Sequence, residues 1–332
     1  MSEWPVLVTR RLPAGPMAVI SERCDADVWQ GPPEAIPRDE LLRRIAGKVG
    51  AVTLLTERVD AELLDAAGPD LRIVANYAVG FDNIDVEECT RRGVMATNTP
   101  DVLTETTADL AWALLMAAAR RITEGDRYLR SRTPWIWGPE MMLGQDVHHA
   151  TLGLVGFGRI GQALARRAGG FGMRIVYYDL FRPSPEVERE LEAEYREFDD
   201  LLSEADFISI HVALTPETRH LFGAEQFARM KPTAVLVNSS RGPVIDEAAL
   251  AEALRTGEIF AAGLDVFEKE PEVHPGLLEL DNAAVVPHLG SATVATRDAM
   301  GMLAAENLFA ALEGRRPPTL INPEVLDRNP AR

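Results

Sequence analysis

Late in the chain an arginine, a carboxylate and an imidazole each follow a short apolar run. TAVLVN leads into SSRG and Arg241, IFAAGLDV into FEKEP and Glu270, and AAVVP into HLGS and His288. Open parallel sheets place ligands outside the carboxyl ends of their strands, so three such ends would gather these side chains at one site. Arg241 presents a planar fork of donors that matches the carboxylate and carbonyl oxygens of an α-keto acid. Histidine exchanges protons near neutral pH, so His288 suits giving a proton to an alkoxide formed by hydride arrival, or taking it in reverse. Glu270, hydrogen-bonded to the other ring nitrogen, would orient the ring and stabilise the imidazolium. His211, which ends ADFISIH, is the rival for that role. His148 and His149 sit in a polar connection, and His220 and His274 have no evident convergent partner.

A hydride source is written further upstream. LGLVGFGRIGQALARR carries Gly156-x-Gly158-x-x-Gly161 directly after a strand-like run and at the opening of a helix-like one. The first glycine makes a tight turn, the second lets backbone approach a pyrophosphate, and the third lets helix and strand pack closely. The helix-start amides, at Arg159 and Ile160, then face the phosphates. The next strand ends in Asp179, where an acidic side chain accepts bonds from the adenosine ribose diol and repels a 2′-phosphate. That favours NAD. Arg182, three residues on, leaves NADP possible, because a guanidinium there can turn toward a 2′-phosphate. No His/Cys/Asp/Glu set has metal-ligand spacing, and no metal is expected.

Elements able to position these residues recur along the 332-residue chain, a length that fits two domains. Apolar runs alternate with amphipathic helix-length stretches, the pattern of parallel sheets covered by helices, and the fold class is α/β. PVLVT (5–9), AVTLL (51–55) and LRIVANY (71–77) supply strands in the first hundred residues, with RDELLRRIAG among the helical stretches. TPDVLTETTADLAWALLMAAARR (99–121) reads as one long connecting helix, acidic at its start and basic at its end. Six strand-like runs follow from 151, enough for a complete doubly wound sheet. TVATRDAMGMLAAENLFAALEG (293–314) reads as a helix returning to the first domain. The expected division is a substrate domain of 1–99 plus 288–332 and a dinucleotide-binding domain of 100–287.

Composition narrows the partners. The 34 basic and 51 acidic residues give a net charge of −17, which repels nucleic acid. Only Lys48, Lys231 and Lys269 are available for Schiff-base chemistry. Cys24 and Cys89 build no disulfide framework, and ADLAWALLMAAA is too short to span a bilayer. The expectation is a soluble, cytoplasmic protein with no membrane partner.

NYAVGFDNIDV (76–86), NTPDVLTETTADLAWALLMAAARR (98–121), GLVGFGRIGQALARR (153–167), VNSSRGPVIDEAAL (237–250), AAGLDVFEKEP (261–271), PHLGSAT (287–293) and PPTLINPE (317–324) together resemble the D-isomer-specific 2-hydroxyacid dehydrogenases, and among them the glyoxylate/hydroxypyruvate reductases. The resemblance implies a Rossmann domain inserted into a flavodoxin-like substrate domain. It also implies reduction of a small 2-keto acid, with Arg241, Glu270 and His288 as the catalytic set. Backbone amides of Val79 and Gly80 are implied for the substrate carboxylate, and Thr107, Ser240 and Asp265 for the cofactor side. Similar reductases that use NADPH carry Ser-Arg where this chain has Asp179-Leu180. The resemblance further implies a homodimer in which an aromatic side chain of the partner nears the substrate. RTPWIWGPEMMLG (132–144) offers Trp135 and Trp137 for that place, with Met141 competing for the match. Sister enzymes acting on D-lactate, 2-ketogluconate or phosphite, and nicotinamide-sensing corepressors, are alternatives of the same fold.

Overall fold

The computed structural model describes residues 4–31 and 35–328. Packing divides the chain into two units, Met1–Leu103 with Ser291–Arg332, and Thr104–Gly290. In the first, strands β1 (Trp4–Val8), β2 (Cys24–Val28), β3 (Gly50–Thr53), β4 (Ile73–Asn76) and β5 (Met95–Thr97) form an all-parallel sheet in the order β2-β1-β3-β4-β5. This is the flavodoxin-like order. β1, β3 and β4 form its centre, with β3 and β4 buried throughout and β1 buried from Val6 onward, which is why they read as apolar runs. The helix Val294–Leu312 packs on β3, β4 and the helix Ala14–Arg23 of the same unit. Thr293 caps it by accepting the Thr296 amide at 3.2 Å.

In the second unit β6 (Thr151–Val155), β7 (Arg174–Tyr178), β8 (Ala193–Tyr195), β9 (Phe207–Ile210), β10 (Val235–Asn238), β11 (Ala261–Leu264) and β12 (Ala283–Val285) form a parallel sheet ordered β12-β11-β10-β9-β6-β7-β8. The winding reverses between β6 and β9, the topological switch of a Rossmann sheet. Both units are thus α/β with parallel sheets.

Three strands escaped the sequence reading: β2, β5 and β8. Two lie at the edges of the first sheet and one at an edge of the second. An edge strand has one unpaired side and tolerates charge, as Asp25, Asp27 and Glu194 show, so it carries a weak apolar signal. The helix expected over 99–121 begins only at Thr104 and ends at Ala119. Asp101 (φ 70°) and Arg121 (φ 51°) take left-handed backbone at its two flanks, and a second helix, Ile122–Arg130, follows. The second unit also runs a few residues past the expected 100–287 span. His288 lies within it, because its amide donates to the Asp265 carbonyl at 2.9 Å and the Gly290 amide to the Asp265 carboxylate at 2.8 Å. Among the described residues no helix is long and apolar enough to cross a membrane.

Candidate active site

β10, β11 and β12 are neighbours in the sheet, so the segments after them start side by side. Arg241 follows β10, Glu270 follows β11 and His288 follows β12. Nδ1 of His288 donates to Oε2 of Glu270 at 2.8 Å, while Oε1 of Glu270 accepts the Phe267 amide at 3.0 Å. The ring is therefore held by one nitrogen, and Nε2 is left as the nitrogen that can meet a ligand. His288 has a left-handed backbone, φ 53°, at the bend that turns its ring to this carboxylate. Burial pushes the Glu270 carboxyl up, but the hydrogen bond and charge of His288, the Phe267 amide and the Arg241 guanidinium outweigh it. The net result is a value below the usual carboxylate range.

Behind this pair lies Asp265, almost fully buried. Its carboxylate accepts the amides of Leu289 and Gly290, fixing the residues that follow His288. Burial, with a smaller push from Glu270, raises its pKa to about 6 against the opposing pull of those amides and His288. A Cβ on Gly290 would sit 3.2 Å from Asp265 Oδ2 and 3.4 Å from Thr107 Cγ2, so Thr107 and Asp265 flank the same turn.

The turn carrying Arg241 is organised by Asn238, fully buried at the end of β10. Its Oδ1 accepts both the amide and hydroxyl of Ser240, at 3.0 and 2.9 Å, and its Nδ2 donates to the Arg241 carbonyl at 3.0 Å. Gly242 then abuts the next loop, where a Cβ would fall 1.9 Å from the Phe267 carbonyl carbon. Glu247, also buried, accepts the Glu268 amide at 2.6 Å and the His274 amide at 3.1 Å, tying down both flanks of Glu270. Sequence reasoning missed Asn238, Gly242 and Glu247. All three fall within NSSRGPVIDE, where Glu247 follows Arg241 by six residues and nothing local marks it as buried.

The glycine-rich turn divides its labour as the spacing implies. Gly156 has φ 94°, and a Cβ there would strike the His211 carbonyl carbon at 2.6 Å. A Cβ on Gly161 would meet the Gly156 carbonyl oxygen at 2.4 Å. Around Gly158 there is nothing within 4 Å, so space is open where the helix Arg159–Gly169 begins, with Arg159 and Ile160 in its first turn. That cradle fits a dinucleotide pyrophosphate. Asp179 accepts the Phe157 amide at 2.6 Å and the Phe181 amide at 2.9 Å, which places its carboxylate against the turn with lone pairs remaining for a ribose diol.

The remaining histidines separate clearly. His211 packs beneath the glycine turn with Nε2 2.9 Å from Ser209 Oγ, and burial pushes it down to about 4. It is neutral at physiological pH and poorly suited to deliver a proton. His220, for which no partner was foreseen, lies 2.6 Å from Glu268, a contact that needed the fold to appear. His274 accepts the Gly276 amide at a helix start. Among the described residues no group of three or more His, Cys, Asp or Glu is placed to hold a metal.

In the first unit the Val79 and Gly80 carbonyls are held by Asn98 Nδ2 at 2.7 Å and Asn76 Nδ2 at 3.2 Å. Asn83 in turn donates to the Leu54 and Glu57 carbonyls. This asparagine scaffold, also missed from sequence, fixes the backbone of the loop and so the direction of its amides.

The chain as a whole is similar to known proteins. Residues 112–290 match the model of the D-isomer specific 2-hydroxyacid dehydrogenase NAD-binding domain. The chain is 53% identical to a glyoxylate reductase of Thermococcus onnurineus (strain NA1), covering 97% of each sequence. A crystal structure of a Thermus thermophilus protein superposes with a TM-score of 0.89 at 46% identity, over 96% of this chain and 99% of that one. An NADPH-dependent glyoxylate/hydroxypyruvate reductase of Sinorhizobium meliloti, in complex with NADP and malonate, gives 0.82 at 33% identity, over 97% and 98%.

Proposed function

This chain belongs to the D-isomer specific 2-hydroxyacid dehydrogenase family, an NAD(P)-dependent group of oxidoreductases, and we propose that it reduces glyoxylate or hydroxypyruvate to the 2-hydroxy acid with NADH. The observation that carries the reading is the 2.8 Å bond between His288 and Glu270, on neighbouring strand ends with Arg241. When bound, the nicotinamide supplies hydride to C2 of the keto acid. The chain supplies the rest. Arg241 grips the carboxylate and carbonyl oxygens with its donor fork. His288, its Nδ1–H held by Glu270, gives the Nε2 proton to the oxygen as charge develops there. With a dinucleotide bound, Thr107, Ser240 and Asp265 would face its nicotinamide end, and Gly156, Gly158 and Gly161 with the Arg159 and Ile160 amides would hold the pyrophosphate. Asp179 favours NADH over NADPH by repelling a 2′-phosphate.

The choice of acid is supported by relatives at about half identity that carry the name glyoxylate reductase. Steady-state assays with glyoxylate, hydroxypyruvate and 2-ketogluconate, each with NADH and NADPH, and with D-lactate and phosphite against NAD⁺, test it. The highest kcat/KM is expected for glyoxylate or hydroxypyruvate with NADH, and a higher value for any other substrate overturns the assignment.

The active form in this reading is a homodimer. Trp135, Ile136 and Trp137 are 53%, 92% and 76% exposed, with Leu143 close behind in sequence, an apolar stretch suited to a second copy. Sedimentation at micromolar concentration should show a dimer that Trp137→Ser weakens, and a monomeric wild type would refute it.

A further inference from the structure

Arg182 is the cation closest in sequence to Asp179 on the ribose side, and in the structure it is engaged. Its Nη2 donates to Glu188 Oε1 at 2.8 Å, and its guanidinium lies 4.7 Å over the Tyr195 ring. The same Glu188 oxygen accepts the Tyr177 hydroxyl. Tyr177 stacks on Phe157 at 4.2 Å between centroids, and the Phe157 amide is the one that binds Asp179. A continuous chain of contacts therefore runs from the glycine turn and Asp179 through Tyr177 to Glu188 and Arg182. Those contacts also keep Glu188 ionised, its carboxyl held below the usual range by Tyr177 and Arg182.

We propose that Glu188 is a second determinant of cofactor choice: it holds Arg182 against Tyr195, withdrawing the guanidinium that a 2′-phosphate would need. The proposal rests on the reading of Asp179 as the ribose ligand and adds a separate, removable element to it. Asp179 excludes the phosphate by charge at the ribose itself, whereas Glu188 acts by occupying the cation. An arginine beside the ribose is the usual means of accepting a 2′-phosphate. An exposed ion pair and a cation–π contact are each weak, so the withdrawal is worth about fivefold rather than orders of magnitude. Glu188 is thus a positioning residue for Arg182, and the two are expected to be coupled.

Calorimetric titration with NAD⁺ and NADP⁺ tests this without turnover. Glu188→Gln should raise the ratio of NADP⁺ to NAD⁺ affinity about fivefold, with an unchanged melting temperature. Arg182→Ala alone should leave the ratio within about twofold, and adding it to Glu188→Gln should cancel the gain. An unchanged ratio in both Glu188→Gln and Glu188→Ala overturns the proposal, as does a gain that survives loss of Arg182. Wild-type protein that binds neither dinucleotide would instead strike the NAD-binding reading itself, so the two failures are distinguishable.

Discussion

The two oxygens of Glu270 are divided between His288 Nδ1, at 2.8 Å, and the Phe267 amide, at 3.0 Å. The carboxylate is thereby pinned to its own loop while it holds the imidazole of the next strand end. Its pKa is depressed because the contacts from His288, Phe267 and Arg241 outweigh burial. A depressed carboxylate contributes stability that is present above its ordinary pKa and is lost as pH falls through the lowered value. In His288→Ala the burial remains and the largest opposing contacts go, so the Glu270 titration should move up past the ordinary range. NMR titration of carbon-labelled glutamate measures this, and an unmoved Glu270 signal would mean that the pair does not hold the carboxylate ionised.

Asp265 has the opposite sign. Its pKa of about 6 lies above the value in an unfolded chain, so the folded state holds the proton more tightly and stability falls as pH rises from about 4 to about 6. Asp265→Asn cannot ionise, so its stability relative to wild type should improve by up to roughly 3 kcal/mol across that window, beyond whatever it loses at the Leu289 and Gly290 amides. Urea midpoints at pH 4, 5 and 7 supply the comparison. Parallel pH curves for the two proteins would count against a buried, proton-holding Asp265.

The glycines of the turn should fail in different ways. Gly158 has open space around a prospective Cβ, so Gly158→Ala should fold normally and bind NADH about tenfold or more weakly. In Gly161→Ala the new methyl meets the Gly156 carbonyl oxygen, and stability should drop by about 1–3 kcal/mol. Thermal melts and NADH fluorescence titrations of both variants separate binding from folding. Equal losses of stability would contradict the division.

Glu247 touches no candidate substrate group yet holds both flanks of the Glu270 loop through the Glu268 and His274 amides. Glu247→Gln keeps the size and turns a donor toward an amide, costing about 1–3 kcal/mol at that contact. The expected outcome is a kcat lower by about tenfold with NADH affinity retained, and faster hydrogen exchange confined to residues 266–274. If Glu247→Gln and Glu270→Gln reduced kcat by fully independent factors, Glu247 would not act through Glu270.

Much of this site could be read before any fold was known, for definable reasons. Glycine spacing after an apolar run encodes a backbone path, and Gly156, with φ 94°, takes the turn that spacing calls for. Strand ends in a parallel sheet share one side, so placing Arg241, Glu270 and His288 after successive runs needed only the α/β pattern. What stayed hidden was what depends on one neighbour rather than on period. The edge strands β2, β5 and β8 are short or polar. Asn238, Asn76, Asn98 and Glu247 act by hydrogen-bonding loop backbone, and nothing in their local sequence declares which amide or carbonyl they meet. The His220–Glu268 contact spans 48 positions and arises only from packing. Arg182 looked available for a phosphate until its partners, Glu188 and Tyr195, came into view.

The central claim is that His288 carries the proton to the substrate oxygen. Single-turnover reduction of glyoxylate by NADH-loaded protein, wild type against His288→Asn, measures it most directly. The account predicts a rate lower by about 10²–10⁴-fold with the NADH dissociation constant unchanged. A His288→Asn rate within about fivefold of wild type would contradict it.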